Sequence, residues 1–180
     1  MRSGGSKSKG NGFELVICKA LSLWISKGER TDLFARNVTS GGAFTTAAAK
    51  GQKAGHSGDV MPSEILGHEF LEKLMIECKF WKDLQLESAL WGKGILAPVL
   101  TKTEQQAYVA KKHFLLVTKQ NNRPTLIFAD NVIGGIFIKL ASSEAHYHRL
   151  WRGRTFVCLF DDILKLDPDA FMNELARLKI

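Results

Sequence analysis

The chain has 180 residues and a mass of 20.0 kDa, so a single domain is the expectation. It is 45% hydrophobic and 24% charged, ordinary for a globular protein and incompatible with a largely disordered one. Twenty-five Lys plus Arg against eighteen Asp plus Glu leave +7, which favours a polyanionic partner without naming one. No run approaches the roughly 18 apolar residues of a membrane span. The start is rich in Gly, Ser and Lys, with no apolar signal core behind it, so the expectation is a cytoplasmic protein with no membrane partner. Cys18, Cys78 and Cys158 are odd in number and far apart. They build neither a disulfide framework nor a CxxC zinc site and read as three reduced thiols.

Residues 1–10 read as a flexible basic arm. Phe13, Val16, Ile17, Ala20, Leu21, Trp24 and Ile25 then repeat with helical spacing, predicting an amphipathic helix that ends near Lys27 and Gly28. Residues 31–38 read as a strand. The stretch 39–57 is small, polar and aperiodic, and a loop of that length predicts mobility or function. A short strand is expected at 59–61 and a longer one at 72–80. One or two helical turns at 84–91 stop at Gly92 and Gly94, and a helix then runs to about Lys112. Residues 113–119 and 124–130 form a predicted hairpin, with further strands around Gly134 and Gly135 and at 154–160. Asp161 and Asp162 are expected to end that last strand and cap the segment after it. Asp167 and Pro168 open a last helix. The order gives a mixed α/β domain, with residues 131–180 as a C-terminal strand and helix extension.

In the strand at 72–80, Ile76, Cys78 and Phe80 share one face, while Glu77 and Lys79 share the other. A carboxylate and an ammonium side by side on so apolar a strand have two explanations. One is a cross-strand ion pair on a solvated face. The other is a metal centre: Mg²⁺ takes oxygen ligands, and Glu77 and the backbone carbonyl of Cys78 supply two. Lys79 would then orient or deprotonate a water and stabilise charge on a phosphorus centre. Asp59 is the candidate second carboxylate, although an Asp after Gly is also an ordinary turn residue.

Asp59 followed by Glu77, Cys78 and Lys79 resembles the D…ExK signature of PD-(D/E)xK nucleases, with Gly58 where Pro often stands. Lys9-Gly10-Asn11-Gly12-Phe13-Glu14 resembles the KGxxxE opening of archaeal-type Holliday junction resolvases. Arg36-Asn37-Val38-Thr39-Ser40-Gly41-Gly42 resembles their RxxxSGG segment, and Ile76-Glu77-Cys78-Lys79 their IEVK. The resemblance implies a restriction-endonuclease-like core, a mixed sheet flanked by helices in the order α-β-β-β-α-β, across residues 11–130. It implies that Glu14, Asp59 and Glu77 form an acidic cluster for Mg²⁺ (or Mn²⁺), with Lys79 as the catalytic lysine. Ser40 would lie near the scissile phosphate and Arg36 would be the basic strand residue. Asn11 and Glu14 equally satisfy an N-cap to N3 capping box, a purely structural role for Glu14.

Backbone-reading proteins need spread positive charge. Arg2, Lys7 and Lys9 in the arm, Lys50 and Lys53 in the loop, and Lys82 and Lys93 beyond supply it. Arg149, Arg152 and Arg154 beside His146, Tyr147, His148 and Trp151 read as a solvated surface loop. His56 reads as a polar loop residue, and Trp81 and Trp91 as core or interface. The expectation is a Mg²⁺-dependent endodeoxyribonuclease that acts on DNA four-way junctions as a C2 homodimer, in recombination or repair and of phage type. The alternatives are a related nuclease acting on duplex or other branched DNA, or a DNA-binding protein without catalysis.

Overall fold

The fold was derived from a computed structural model that describes residues 5–38, 57–141, 147–150 and 155–179. Helix α1 (Gly5–Ile25) leads into β1 (Phe34–Arg36) and β2 (Val60–Pro62). Helix α2 (Ile65–Lys73) precedes the long strand β3 (Leu74–Trp81). The short α3 (Leu86–Leu90) and longer α4 (Leu96–Ala110) carry the chain back to β4 (His113–Gln120) and β5 (Leu126–Asp130). Then come α5 (Asn131–Leu140), β6 (Tyr147–Leu150), β7 (Thr155–Leu159), α6 (Phe160–Ile163) and α7 (Pro168–Ala176).

Five strands form one open mixed sheet in the order β3-β4-β5-β7-β6. β3 and β4 run parallel, from Leu74 opposite His113 to Trp81 opposite Gln120, and the remaining pairs are antiparallel. A parallel pair needs a long crossover, which α3 and α4 provide. Strand β4 is buried from Phe114 to Thr118, as a strand covered on both faces must be. Its Leu115 and Val117 join Ile76, Cys78, Ile127 and Phe156 in a core with α1, α2, α5 and α7. Its Phe114 and Leu116 join Met75, Phe128 and Val157 under α3 and α4. The result is a three-layer α/β/α domain consistent with a restriction-endonuclease-like core.

Several expectations need correcting. α1 begins at Gly5, so residues 5–10 belong to the helix rather than to a flexible arm. Asn11 and Glu14 therefore sit inside the helix, and the capping box does not form. Val16 faces outward; the buried stripe is Phe13, Ile17, Cys18, Leu21, Trp24 and Ile25. Helix α2 was not anticipated, and Glu72 and Lys73 end it instead of opening the strand. Its buried Gly67, Phe70 and Leu71 keep helical spacing over too short a stretch to stand out. The segment around Gly134 and Gly135 is helix, not strand. Asp130 caps it by accepting from the backbone N–H of Val132 (2.9 Å) and Ile133 (3.0 Å). Gly134 is needed because a Cβ there would lie 2.6 Å from the Phe156 side chain.

The segment beyond 130 completes the main core. β7 pairs with β5 from Leu126 opposite Leu159 to Asp130 opposite Thr155. The indole N–H of Trp24 donates to the carbonyl of Leu166 (2.8 Å), and Phe171 packs against Trp24, Phe70 and Phe137. Among the described residues, no helix is long and apolar enough to cross a membrane.

Candidate active site

The candidate site forms where the β1–β2 ribbon meets the edge of β3. β1 and β2 pair antiparallel, Arg36 opposite Val60. The N–H of Asn37 donates to the carbonyl of Asp59 (2.8 Å), and the N–H of Asp59 donates to the carbonyl of Ile76 (2.7 Å). The side-chain amide of Asn37 holds the carbonyl of Gly58 (2.9 Å). Asp59 is thus fixed by its main chain on both sides. In the sequence the pair at 36–37 draws attention for its Arg; the Asn is the residue that builds the site's floor.

Gly58 explains the departure from the usual Pro-Asp pair. Its φ is +88°, and a Cβ there would stand 2.4 Å from the Ile76 carbonyl oxygen. Proline, locked near φ −65°, has no way into that conformation.

The Asp59 side chain is 7% exposed, and its Oδ2 accepts from the backbone N–H of Cys78 (2.9 Å). The same oxygen accepts from Lys79 Nζ at 3.1 Å. Glu77 Oε1 accepts from that Nζ at 2.5 Å, and the carbonyl of Cys78 at 3.0 Å. Three hard oxygens from Asp59, Glu77 and Cys78 therefore converge on one cationic point. Alternation along β3 brings Glu77 and Lys79 to one face, as expected. Burial pushes the Glu77 carboxyl above its ordinary value, and nearby Asp59 adds to this against the pull of Lys79 and, further away, Lys102. For Lys79 burial acts downward, but the Glu77 and Asp59 carboxylates outweigh it and the ammonium is held above its ordinary value.

The resemblance implies Glu14 as a third carboxylate of the cluster. The Glu14 carboxylate forms an ion pair with Nε of Arg36, joining α1 to β1. Burial raises the Cys18 thiol, and the Glu14 and, more weakly, Asp59 carboxylates add to the shift. Among the described residues, however, no three His, Cys, Asp or Glu side chains converge to hold a metal. The oxygen set that does converge is two carboxylates and the Cys78 carbonyl. It suits a hard divalent cation, and the Lys79 ammonium stands in for the positive charge that those oxygens surround. Phe13 packs edge-on against Phe80, with ring centroids 5.8 Å apart, and sets α1 beside this end of β3.

Lys82 and Lys93 are exposed beyond β3. Arg2, Ser40, Lys50, Lys53 and His56 lie outside the described residues, as do the side chains of Lys7 and Lys9 and of the basic-aromatic patch at 146–154. Trp81 is partly buried against the α3–α4 side of the sheet, but Trp91 is 81% exposed and so is not a core residue.

The model of the family described as phage putative PDDEXK endonuclease matches residues 5–173. That span takes in nearly all the described fold, including β7 and the first two-thirds of α7, which the motif resemblance left out. No match is found among curated proteins or among solved structures. With the ordered Asp59, Glu77 and Lys79 and a match over almost its whole length, the chain belongs to the phage PDDEXK endonuclease family and is a nuclease.

Proposed function

We propose that this nuclease is a Mg²⁺-dependent endodeoxyribonuclease that cuts branched DNA, a four-way junction foremost, as a C2 homodimer. The convergence of Asp59 Oδ2, Glu77 Oε1 and the Cys78 carbonyl on one cationic point carries the metal reading. Mg²⁺ held there, or Mn²⁺ in its place, would lower the pKa of a water and neutralise charge on the phosphate. Asp59 and Glu77 are the carboxylate holders, and the Cys78 backbone N–H keeps Asp59 aimed. A cation held by Asp59 and Glu77 would free Lys79 from those two carboxylates. Its ammonium then serves the attacked phosphate, either by orienting the water or by balancing charge in the transition state.

Arg36, restrained by Glu14 and partly exposed, is a phosphate contact. Lys7, Lys9, Lys50, Lys53 and Lys82 extend the cationic track, and Ser40 keeps the phosphate-side role that the resemblance implies. The junction preference is supported by the order of the resolvase-like segments around Glu14, Arg36 and Lys79. The Glu14–Arg36 pair joins the first two of them. Symmetric cutting of two strands needs two sites, hence the C2 homodimer. The host cytoplasm, where phage DNA recombines, is the proposed place of action.

The test incubates the protein with Mg²⁺ and either a synthetic four-way junction or a linear duplex of the same sequence. Paired symmetric nicks confined to the junction are expected. Equal cutting of both removes the junction preference and leaves a duplex nuclease. Absence of cutting with Mg²⁺ or Mn²⁺ on any DNA leaves only binding.

A further inference from the structure

We propose that the indole of Trp91 is a stacking platform for a DNA base that has lost its stacking partner, a site separate from the cleavage centre. The proposal rests on the DNA-nuclease reading above and adds to it the feature of DNA that this end of the protein recognises.

Trp91 is 81% exposed, whereas Trp24 is 8% exposed and Trp81 is packed against the sheet. An indole left in water on a soluble domain forfeits one of the largest burial gains any side chain offers. Nor is it exposed on a slack segment. The N–H of Trp91 and of Lys93 both donate to the Ser88 carbonyl (3.1 and 2.9 Å), and that of Gly92 donates to Ala89 (3.0 Å). Gly94, at φ +75°, lets the chain turn so close that a Cβ there would lie 2.9 Å from both Gln85 Oε1 and Ser88 Cβ. The same Gln85 oxygen accepts from the N–H of Ile95 (3.2 Å). The turn is closed on both sides of the tryptophan, so its backbone has little left to order on binding.

Its place favours DNA as the occupant. Glu77, Lys79 and Trp81 alternate onto one face of β3. Trp81 packs against the cluster that holds Ala89 and Leu96, and Trp91 lies two residues after Ala89. Trp91 thus closes a helix of the α3–α4 layer, which covers the face of β3 that carries Lys79. Lys82 just past β3, Lys93 in the same turn as Trp91 and Lys102 on α4 are all exposed. A polyanion with aromatic rings matches a cationic surface that bears an exposed indole. Stacking on an aromatic side chain is tolerant of sequence, because every base has a π-face. A continuous duplex hides those faces between neighbouring pairs, while a branch point, bulge or single-stranded end presents them. Trp91 therefore discriminates interrupted from continuous DNA.

The test uses the full chain, its Trp91→Ala and Trp91→Phe variants, and Ca²⁺ in place of Mg²⁺ so that the DNA stays uncut. One probe carries 2-aminopurine as a single bulged base; the other carries it inside a continuous duplex. Wild type is expected to quench the bulged label and to bind that DNA about tenfold more tightly than Trp91→Ala. Trp91→Phe retains most of both effects, and all three proteins bind the continuous duplex alike. Equal affinity of wild type and Trp91→Ala for the bulged DNA overturns the proposal, as does an equal loss on both DNAs. A change confined to oligomeric state on a sizing column also overturns it and assigns the indole to a contact between copies. Cleavage of any DNA, four-way junction included, in Mg²⁺ or Mn²⁺ tests the nuclease reading separately. Its absence in wild type removes that reading, while the 2-aminopurine signal still decides whether Trp91 stacks a base.

Discussion

The ammonium of Lys79 lies 3.1 Å from Oδ2 of Asp59, although 20 residues separate the two in the chain. It also holds Glu77, so one cation neutralises two carboxylates of limited exposure. Removing it leaves both uncompensated. Lys79→Ala is expected to abolish cleavage and to cost the metal-free protein about 2 kcal/mol, between an exposed pair and a fully buried one. Saturating Mg²⁺ should return most of that loss. Urea unfolding with and without the ion measures both effects.

Glu77 behaves in the opposite sense. Burial and Asp59 raise its carboxyl, so the folded protein holds a proton there more readily than the unfolded chain does. A raised pKa contributes stability that is complete below the ordinary carboxylate range and is lost as pH rises through the folded value. At neutral pH the ionised Glu77 is therefore a liability in the absence of metal. Glu77→Gln should melt at or above wild type without Mg²⁺, with the gap closing as pH falls and wild-type Glu77 takes up its proton. Thermal melts across the acid range check the sign, and a gap that widens toward low pH contradicts it.

Glu14 separates metal holding from DNA contact. Its carboxylate is paired with Arg36. Glu14→Gln should keep the Mg²⁺-induced rise in melting temperature while weakening DNA affinity several-fold, and Asp59→Asn should do the reverse. If Glu14→Gln loses the Mg²⁺ effect, Glu14 is a ligand and the pairing with Arg36 gives way when metal binds.

Gly58 fixes where Asp59 points. Gly58→Ala must hold a side chain at φ +88° with its Cβ against the Ile76 carbonyl, at a cost of about 2–3 kcal/mol. Gly58→Pro, which would restore the commoner Pro-Asp pair, should fare worse. Urea midpoints rank the two, and Mg²⁺ titration shows whether Asp59 has moved.

The thiols give an alkaline signature. Burial pushes Cys18 up to about 11, with Glu14 adding to the shift, and burial pushes Cys158 up to about 12. The folded protein keeps these protons while the unfolded chain releases them from about 9 upward, so stability falls as pH rises beyond that point. Urea midpoints at about pH 8 and about pH 10 should differ in that direction, and by less in Cys158→Ser.

The strand bearing Ile76, Glu77, Cys78 and Lys79 was legible because its alternation is strict and its charged pair stands out on an apolar strand. The hairpin of β4 and β5 and the Asp167-Pro168 helix start were equally readable from turn and cap residues. Helix α5 was not, because Gly134 and Gly135 look like strand or turn residues until Phe156 is seen filling the space beside Gly134. The Glu14–Arg36 pair was hidden for a related reason. Each residue has a plausible role alone, and only the packing of α1 on β1 shows that they neutralise each other. Nothing in the sequence around Trp91 distinguishes an exposed indole from a packed one; that depends on which way a closed turn faces.

One metal-dependent cleavage centre built from Asp59, Glu77 and Lys79 underlies the proposed activity. It is tested by single-turnover cleavage of a labelled four-way junction against Mg²⁺ concentration, for wild type and Glu77→Gln at equal DNA occupancy. Wild type is expected to cut with saturable Mg²⁺ dependence and to stop in EDTA, whereas Glu77→Gln binds the junction without cutting it. Cleavage by Glu77→Gln at the wild-type rate, or cleavage by wild type that persists in EDTA, contradicts such a centre.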